Sequence, residues 1–162
     1  MTRLAIYLND HYAGSTLGFE LVRRAARENA GSELGHFLEA FAVEVGDDRK
    51  TLERVMERVG AKRSPVKPTL AWAAEKAGRL KLNGQLTGYS PLSRLIELEA
   101  LMLGVFGKRS MWGVLGAAAA DDARLAEFDF GALAERADRQ LAALAEHRLA
   151  AVRPALAPAE DA

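Results

Sequence analysis

The stretch from Ser90 to Ala120 constrains the fold of this chain more than any other, because it reads as one long helix with two apolar sides. Ser90 stands where an N-cap hydroxyl can accept from a free backbone N–H, and Pro91 follows at the first helical position, where a missing N–H costs nothing. On a wheel of about 100° per residue, Leu92, Leu95, Ile96, Met102, Leu103 and Phe106 form one stripe, and Leu98, Leu101, Val105 and Trp112 form another. Such a helix has to be covered twice. The first stripe is expected to face the core of a bundle, and the second to be covered by a local segment or a second subunit. Glu99 then falls in the middle of the core stripe, whereas Glu97 points away from it and is expected to be solvated.

A chain of 162 residues has the size of one domain with a single core, here residues 1–153 followed by a frayed tail at 154–162. The 22 basic and 22 acidic side chains balance, so no overall field recruits nucleic acid or an anionic membrane. The absence of cysteine excludes disulfides, zinc–thiolate sites and thiol nucleophiles. The opening MTRLAIYLNDHYAGS turns polar at Asn9, which is not the pattern of a secretory leader, and the expected location is cytoplasmic. Lys108 and Arg109 interrupt the longest apolar run, so no membrane span is expected. Ala, Leu, Glu and Arg are abundant and strand-type alternation is missing, which predicts an all-α fold.

A first helix is expected from Arg3 to about Ala30, with Gly31 as its stop and a solvated face of Asn9, Glu20, Arg23, Arg24 and Arg27. His11 and Gly18 lie within its apolar arc, and a glycine there would let a neighbouring helix approach closely. Ser32 caps a second helix with the inward series Leu34, Phe37, Leu38, Phe41, Val45, Asp48, Leu52, Val55, Met56 and Val59, ending at Gly60. The short connection implies an antiparallel hairpin. Pro65 and Pro68 open a shorter crossover helix with Leu70, Trp72, Ala73, Ala77 and Leu80, followed by turn residues Asn83 to Gly88. Trp72 and Leu80 are the candidates for covering the outer side of the Ser90 helix. Asp129 caps the last helix, whose stripe is Leu133, Ala137, Leu141, Leu144 and Val152, and Pro154 is expected to end it near Val152 or Arg153.

Two long hairpins joined by a long crossover, with inward carboxylates at Asp48 and Glu99, resemble the ferritin-like superfamily over most of the chain. The resemblance implies an antiparallel four-helix bundle with a long helical crossover between its second and fourth helices, counting the crossover helix as the third. Metal-binding members of that superfamily carry a Glu on each of two helices and a Glu-x-x-His on each of the others. This chain lacks Glu-x-x-His: it offers His11, Glu44-x-x-Asp47 beside Asp48, Glu99, and Glu135-x-x-Asp138. The resemblance thus implies a degenerate metal centre.

The inward polar residues are His11, Asp48, Glu99 and Arg148, flanked by Glu44 and His147. A lone carboxylate in a core loses several kcal/mol of hydration or takes up a proton, so each needs a partner. One reading is an ion-pair network, Glu99 with Arg148 and Asp48 with His11. A second is a metal site built from His11, Glu44, Asp48, Glu99 and His147, ligands that suit iron, manganese or zinc. A third is a small-molecule pocket lined by the same groups. Together these predict a ferritin-like binding or structural module without a cofactor. The alternative is a carboxylate-bridged metal oxidoreductase or iron-handling protein. A homodimer is expected through the outer side of the Ser90 helix, with Leu98, Leu101, Val105 and Trp112 at its interface.

Overall fold

The computed structural model describes residues 2–64 and 89–157. Four long helices are described, and no strand is found among these residues. Helix α1 spans Arg3–Glu28, α2 Glu33–Arg58, α3 Pro91–Ala118 and α4 Phe130–Leu156, with a short 3-10 turn at Ala123–Leu125. The expected caps form. Ser32 Oγ accepts from Gly35 N–H at 3.0 Å, Ser90 Oγ from Ser93 N–H at 3.0 Å, and Asp129 Oδ1 from Ala132 N–H at 2.9 Å. Gly31 and Gly60, just beyond α1 and α2, take the positive φ values of 78° and 73° that favour glycine at a helix exit.

Helices α1 and α2 pack along each other as one hairpin, and α3 and α4 as a second. Two apolar clusters fill the bundle. One joins Leu8 and Tyr12 of α1, Leu52, Val55 and Met56 of α2, Trp112 and Leu115 of α3, and Phe130 of α4. The other joins Val22 and Ala25, Leu38 and Phe41, Leu95, Leu98, Leu101 and Val105, and Leu144 and Ala151. The start of α1 and the end of α2 therefore share one end of the bundle, whereas α3 begins at the other end and runs parallel to α2. The end of α2 and the start of α3 thus lie at opposite ends of the bundle. The expected crossover helix with Trp72 and Leu80, and the turn at Asn83 to Gly88, lie outside the described residues.

The orientation of α3 differs from the one expected, although Leu95 of the expected core stripe is buried. Leu98, Leu101, Val105 and Trp112 are all buried, while Leu103 is 74% and Phe106 63% exposed. The strip assigned to a second subunit is thus the core of the chain's own bundle, with the Trp112 ring stacked 6.1 Å from that of Phe130. Glu97, expected to be solvated, is buried with this strip, and Glu99, expected inside, is exposed. Both sides of α3 are apolar enough to be a core, so hydrophobicity alone does not choose between them. Charge chooses, because the buried side carries Lys108 to meet Asp48.

Two local expectations also change. A Cβ at Gly18 would meet nothing within 4 Å, so that glycine does not allow a close approach. Gly35 does: a Cβ there would lie 2.2 Å from the Asn29 carbonyl oxygen. The last helix runs through Pro154 to Leu156. Pro154 leaves only the exposed Ala150 carbonyl without its helical donor, and Ala155 packs on the apolar cluster while Ala157 N–H closes the turn on Arg153 O at 3.0 Å.

Candidate functional site

Between the two apolar clusters lies a polar layer. Asp48, only 3% exposed, comes from the centre of α2. Its Oδ2 accepts from Lys108 Nζ of α3 and its Oδ1 from Arg136 Nη2 of α4. Lys108 Nζ also donates to Gln140 Oε1 at 2.6 Å, and Gln140 Nε2 donates to Glu44 Oε2 at 2.7 Å. Three helices thus supply one connected chain of charge-assisted hydrogen bonds, which are the stronger kind. Burial pulls the Lys108 ammonium below the usual lysine range, the Asp48 carboxylate beside it opposes that shift, and Arg136 adds to it.

At the same level α1 contributes Gly14, Ser15 and Gly18, and a cavity of about 230 Å³ opens between α1 and α3. Gly104 and Gly107 face it from α3, Phe41 and Val45 floor it from α2, and Asp48, Lys108 and Trp112 line its inner part. Trp112 is fully buried, and its Nε1 has no hydrogen-bond partner. His11 stands in the wall with its ring edge-on to Tyr7 at 4.6 Å. Burial pushes His11 below the usual histidine range, offset in part by the neighbouring Asp10 carboxylate.

The residues expected to converge are spread out. His11 and Asp48 line one cavity, but both Asp48 oxygens are taken by Lys108 and Arg136. Glu99 does face Arg148, at 3.7 Å, yet its side chain is 50% exposed, so the pair sits at the surface instead of in the core. Glu44 is exposed and reaches the layer only through Gln140. His147 packs its ring 4.3 Å from that of Phe37. Among the described residues, no three His, Cys, Asp or Glu side chains gather closely enough to hold a metal ion.

Sequence reasoning missed that Lys108, Arg136 and Gln140 turn inward to one layer. The available signal was spacing: Leu101, Val105, Lys108 and Trp112 recur at four, three and four residues, which puts the lysine on one face with three large apolar side chains. It also missed a second buried cluster, where Glu97 accepts from Arg24 Nη2 at 2.6 Å and from Tyr89 OH at 2.8 Å, and Asn29 Nδ2 donates to Tyr89 OH at 3.0 Å. At the far end of α1, Asn9 Nδ2 donates to Lys62 O at 3.1 Å and its Oδ1 accepts from Ser64 N–H at 2.7 Å. Asn9 and Arg24, expected on a solvated face, therefore join Asn29 in holding the chain where it leaves α2 and where it enters α3. No described helix is long and apolar enough to cross a membrane. Compared with protein-family models, with curated proteins and with solved structures, the chain matches none.

Proposed function

We propose that the chain is a ferritin-like bundle whose metal centre is degenerate, and that it acts as a binding or structural module. The observation that carries this is the Lys108 ammonium, held by Asp48 and Gln140 at mid-height between the helices. A cation fixed to the chain occupies the level at which inward carboxylates of a di-metal bundle would hold metal, and it neutralises the one carboxylate buried there. The parallel run of α2 and α3 supports the long crossover that this architecture needs. A cytoplasmic location belongs to the same proposal and rests on the cysteine-free composition. A homodimer stays within it only through the exposed side of α3 bearing Leu103 and Phe106, since the side first assigned to it is buried.

Elemental analysis of the purified protein tests the proposal, together with thermal unfolding in chelator and with added iron, manganese or zinc. The expected result is no stoichiometric metal and an unchanged melting temperature. A bound metal ion that raises the melting temperature by preferring the folded state would promote the carboxylate-bridged oxidoreductase or iron-handling reading instead.

A further inference from the structure

The cavity between α1 and α3 has largely apolar walls and an inner end that carries Lys108 and the unpaired Trp112 Nε1. A Cβ added at Gly14, Gly18, Gly104 or Gly107 would meet nothing within 4 Å, so these glycines do not bring helices together but leave room between them. An ammonium carries three N–H donors. On Lys108 two are used, by Asp48 and Gln140, which leaves the third free. Four residues further along the same face of α3, the buried Trp112 Nε1–H is also without an acceptor. A buried donor left unpaired carries an appreciable desolvation penalty, so Trp112 Nε1 calls for an acceptor, and Lys108 on the same face can offer its third N–H to the same group. Asp48, the fully buried carboxylate of the layer, faces two cations, Lys108 and Arg136, while Glu44 is reached through Gln140 and Asp10 and Arg49 stand in the cavity wall.

We propose that this cavity binds a small apolar monocarboxylate, a single ring or short alkyl chain with one carboxylate. The inference rests on the binding-module half of the function proposed above. The carboxylate accepts from Lys108 Nζ and Trp112 Nε1, and the apolar body lies against Phe41, Val45, Leu101 and Val105. Size limits the class. A cavity of about 150 Å³ holds benzene, so 230 Å³ admits about nine heavy atoms, a single ring with its carboxylate. Both Asp48 oxygens are engaged by cations, so this carboxylate does not oppose the incoming one as a free charge would.

Calorimetric titration of the full chain with benzoate, and with benzyl alcohol as its uncharged counterpart, tests the proposal. Saturable binding of one benzoate per chain is expected, with benzyl alcohol about tenfold weaker or more because it lacks the charged acceptor. Trp112→Phe keeps an aromatic side chain and removes the donor, and should weaken benzoate about tenfold. Gly104→Phe fills the mouth of the cavity at a position with open space and should abolish binding of both molecules while circular dichroism stays helical. No benzoate binding by folded protein would overturn the proposal, as would equal binding of the two probes or benzoate binding unchanged in Gly104→Phe. Metal analysis of the same sample separates the two ideas. Stoichiometric metal removes the degenerate-centre reading, whereas metal-free folded protein that ignores benzoate removes only the carboxylate site.

Discussion

Lys108 Nζ donates to Asp48 Oδ2 across the middle of the bundle and ties α3 to α2, two helices of different hairpins. Helices α2 and α3 share few direct contacts, and this bond joins those of Arg136 to Asp48, Gln140 to Glu44 and Arg24 to Glu97 in linking the two hairpins. A buried pair of this kind adds little net stability, but removing one partner strands the other charge. Asp48→Asn leaves Lys108 and Arg136 facing a neutral amide and is expected to lower stability by about 3–5 kcal/mol. Lys108→Met leaves Asp48 still paired with Arg136 and should cost less. In Asp48→Asn/Lys108→Met the loss should fall clearly below the sum of the single changes, measured by urea unfolding, because the residues share one network. Additive losses would show that the two side chains do not interact.

Glu99 offers the contrast. Its oxygen is 3.7 Å from Arg148 Nη1 and its side chain is half exposed, so water screens both partners. Glu99→Gln is expected to change stability by less than about 1 kcal/mol. The same urea unfolding checks it, and a loss as large as that of Asp48→Asn would place Glu99 inside the bundle.

Much of the fold was legible in the sequence, because helix ends are written locally. Ser32, Ser90 and Asp129 cap where their hydroxyl and carboxylate oxygens predict, Gly31 and Gly60 stop where a positive φ is needed, and Asp48 is inward as its place between Phe41 and Leu52 requires. The face of α3 was not legible by counting apolar residues, because Leu103 and Phe106 on one side weigh as much as Leu101 and Trp112 on the other. The missing step was to ask which side supplies a cation for Asp48. Lys108 answers that question, and the carboxylate turned inward on the same side, Glu97, meets Arg24. The Glu97 cluster was hidden for another reason: Arg24, Asn29 and Tyr89 look polar and exposed one at a time, and only tertiary placement joins them around one carboxylate.

Tyr89 is the link in that cluster, since its hydroxyl accepts from Asn29 and donates to Glu97. Burial raises the Tyr89 hydroxyl well above the usual tyrosine range, with Glu97 adding to the shift against Asn29 and Arg94. The phenol therefore stays protonated and keeps donating at alkaline pH. Tyr89→Phe removes one donor from the buried Glu97 and one acceptor from the buried Asn29, and is expected to lower stability by about 1–3 kcal/mol. Hydrogen exchange should report the loss at the start of α3 and the end of α1. A uniform change along all four helices would argue against a local clamp.

His11 predicts how stability depends on pH. Burial holds its folded pKa below the ordinary value of 6.5, so between those two values the unfolded chain binds more protons than the folded one. This contribution to stability is complete above pH 6.5 and is lost as pH falls from there through the lowered folded value. His11→Gln cannot titrate and should flatten the acid side of the profile, read as denaturation midpoints from pH 7 down to about pH 5. A profile unchanged by the substitution would show that His11 is solvated in the folded state.

Two glycines should respond to alanine in opposite directions. Gly18 lies inside α1 with a negative φ and open space where a Cβ would point, so Gly18→Ala keeps the helix, restricts the unfolded chain and is expected to stabilise by about 0.5–1 kcal/mol. Gly35 lies in the first turn of α2, where a Cβ would be 2.2 Å from the Asn29 carbonyl oxygen and 2.8 Å from its carbon. Neither atom can rotate away as a side chain could. Gly35→Ala must therefore push α2 off the end of α1, disturbing the bonds from Ser32 N–H to Asn29 O at 3.2 Å and from Gly35 N–H to the Ser32 cap. A loss of about 1–3 kcal/mol is expected, the range for overpacking a tight site. Thermal unfolding of the two single variants beside the unsubstituted chain decides the matter. A Gly18→Ala protein less stable than its parent would mean that another helix occupies the space in which this structure has the cavity.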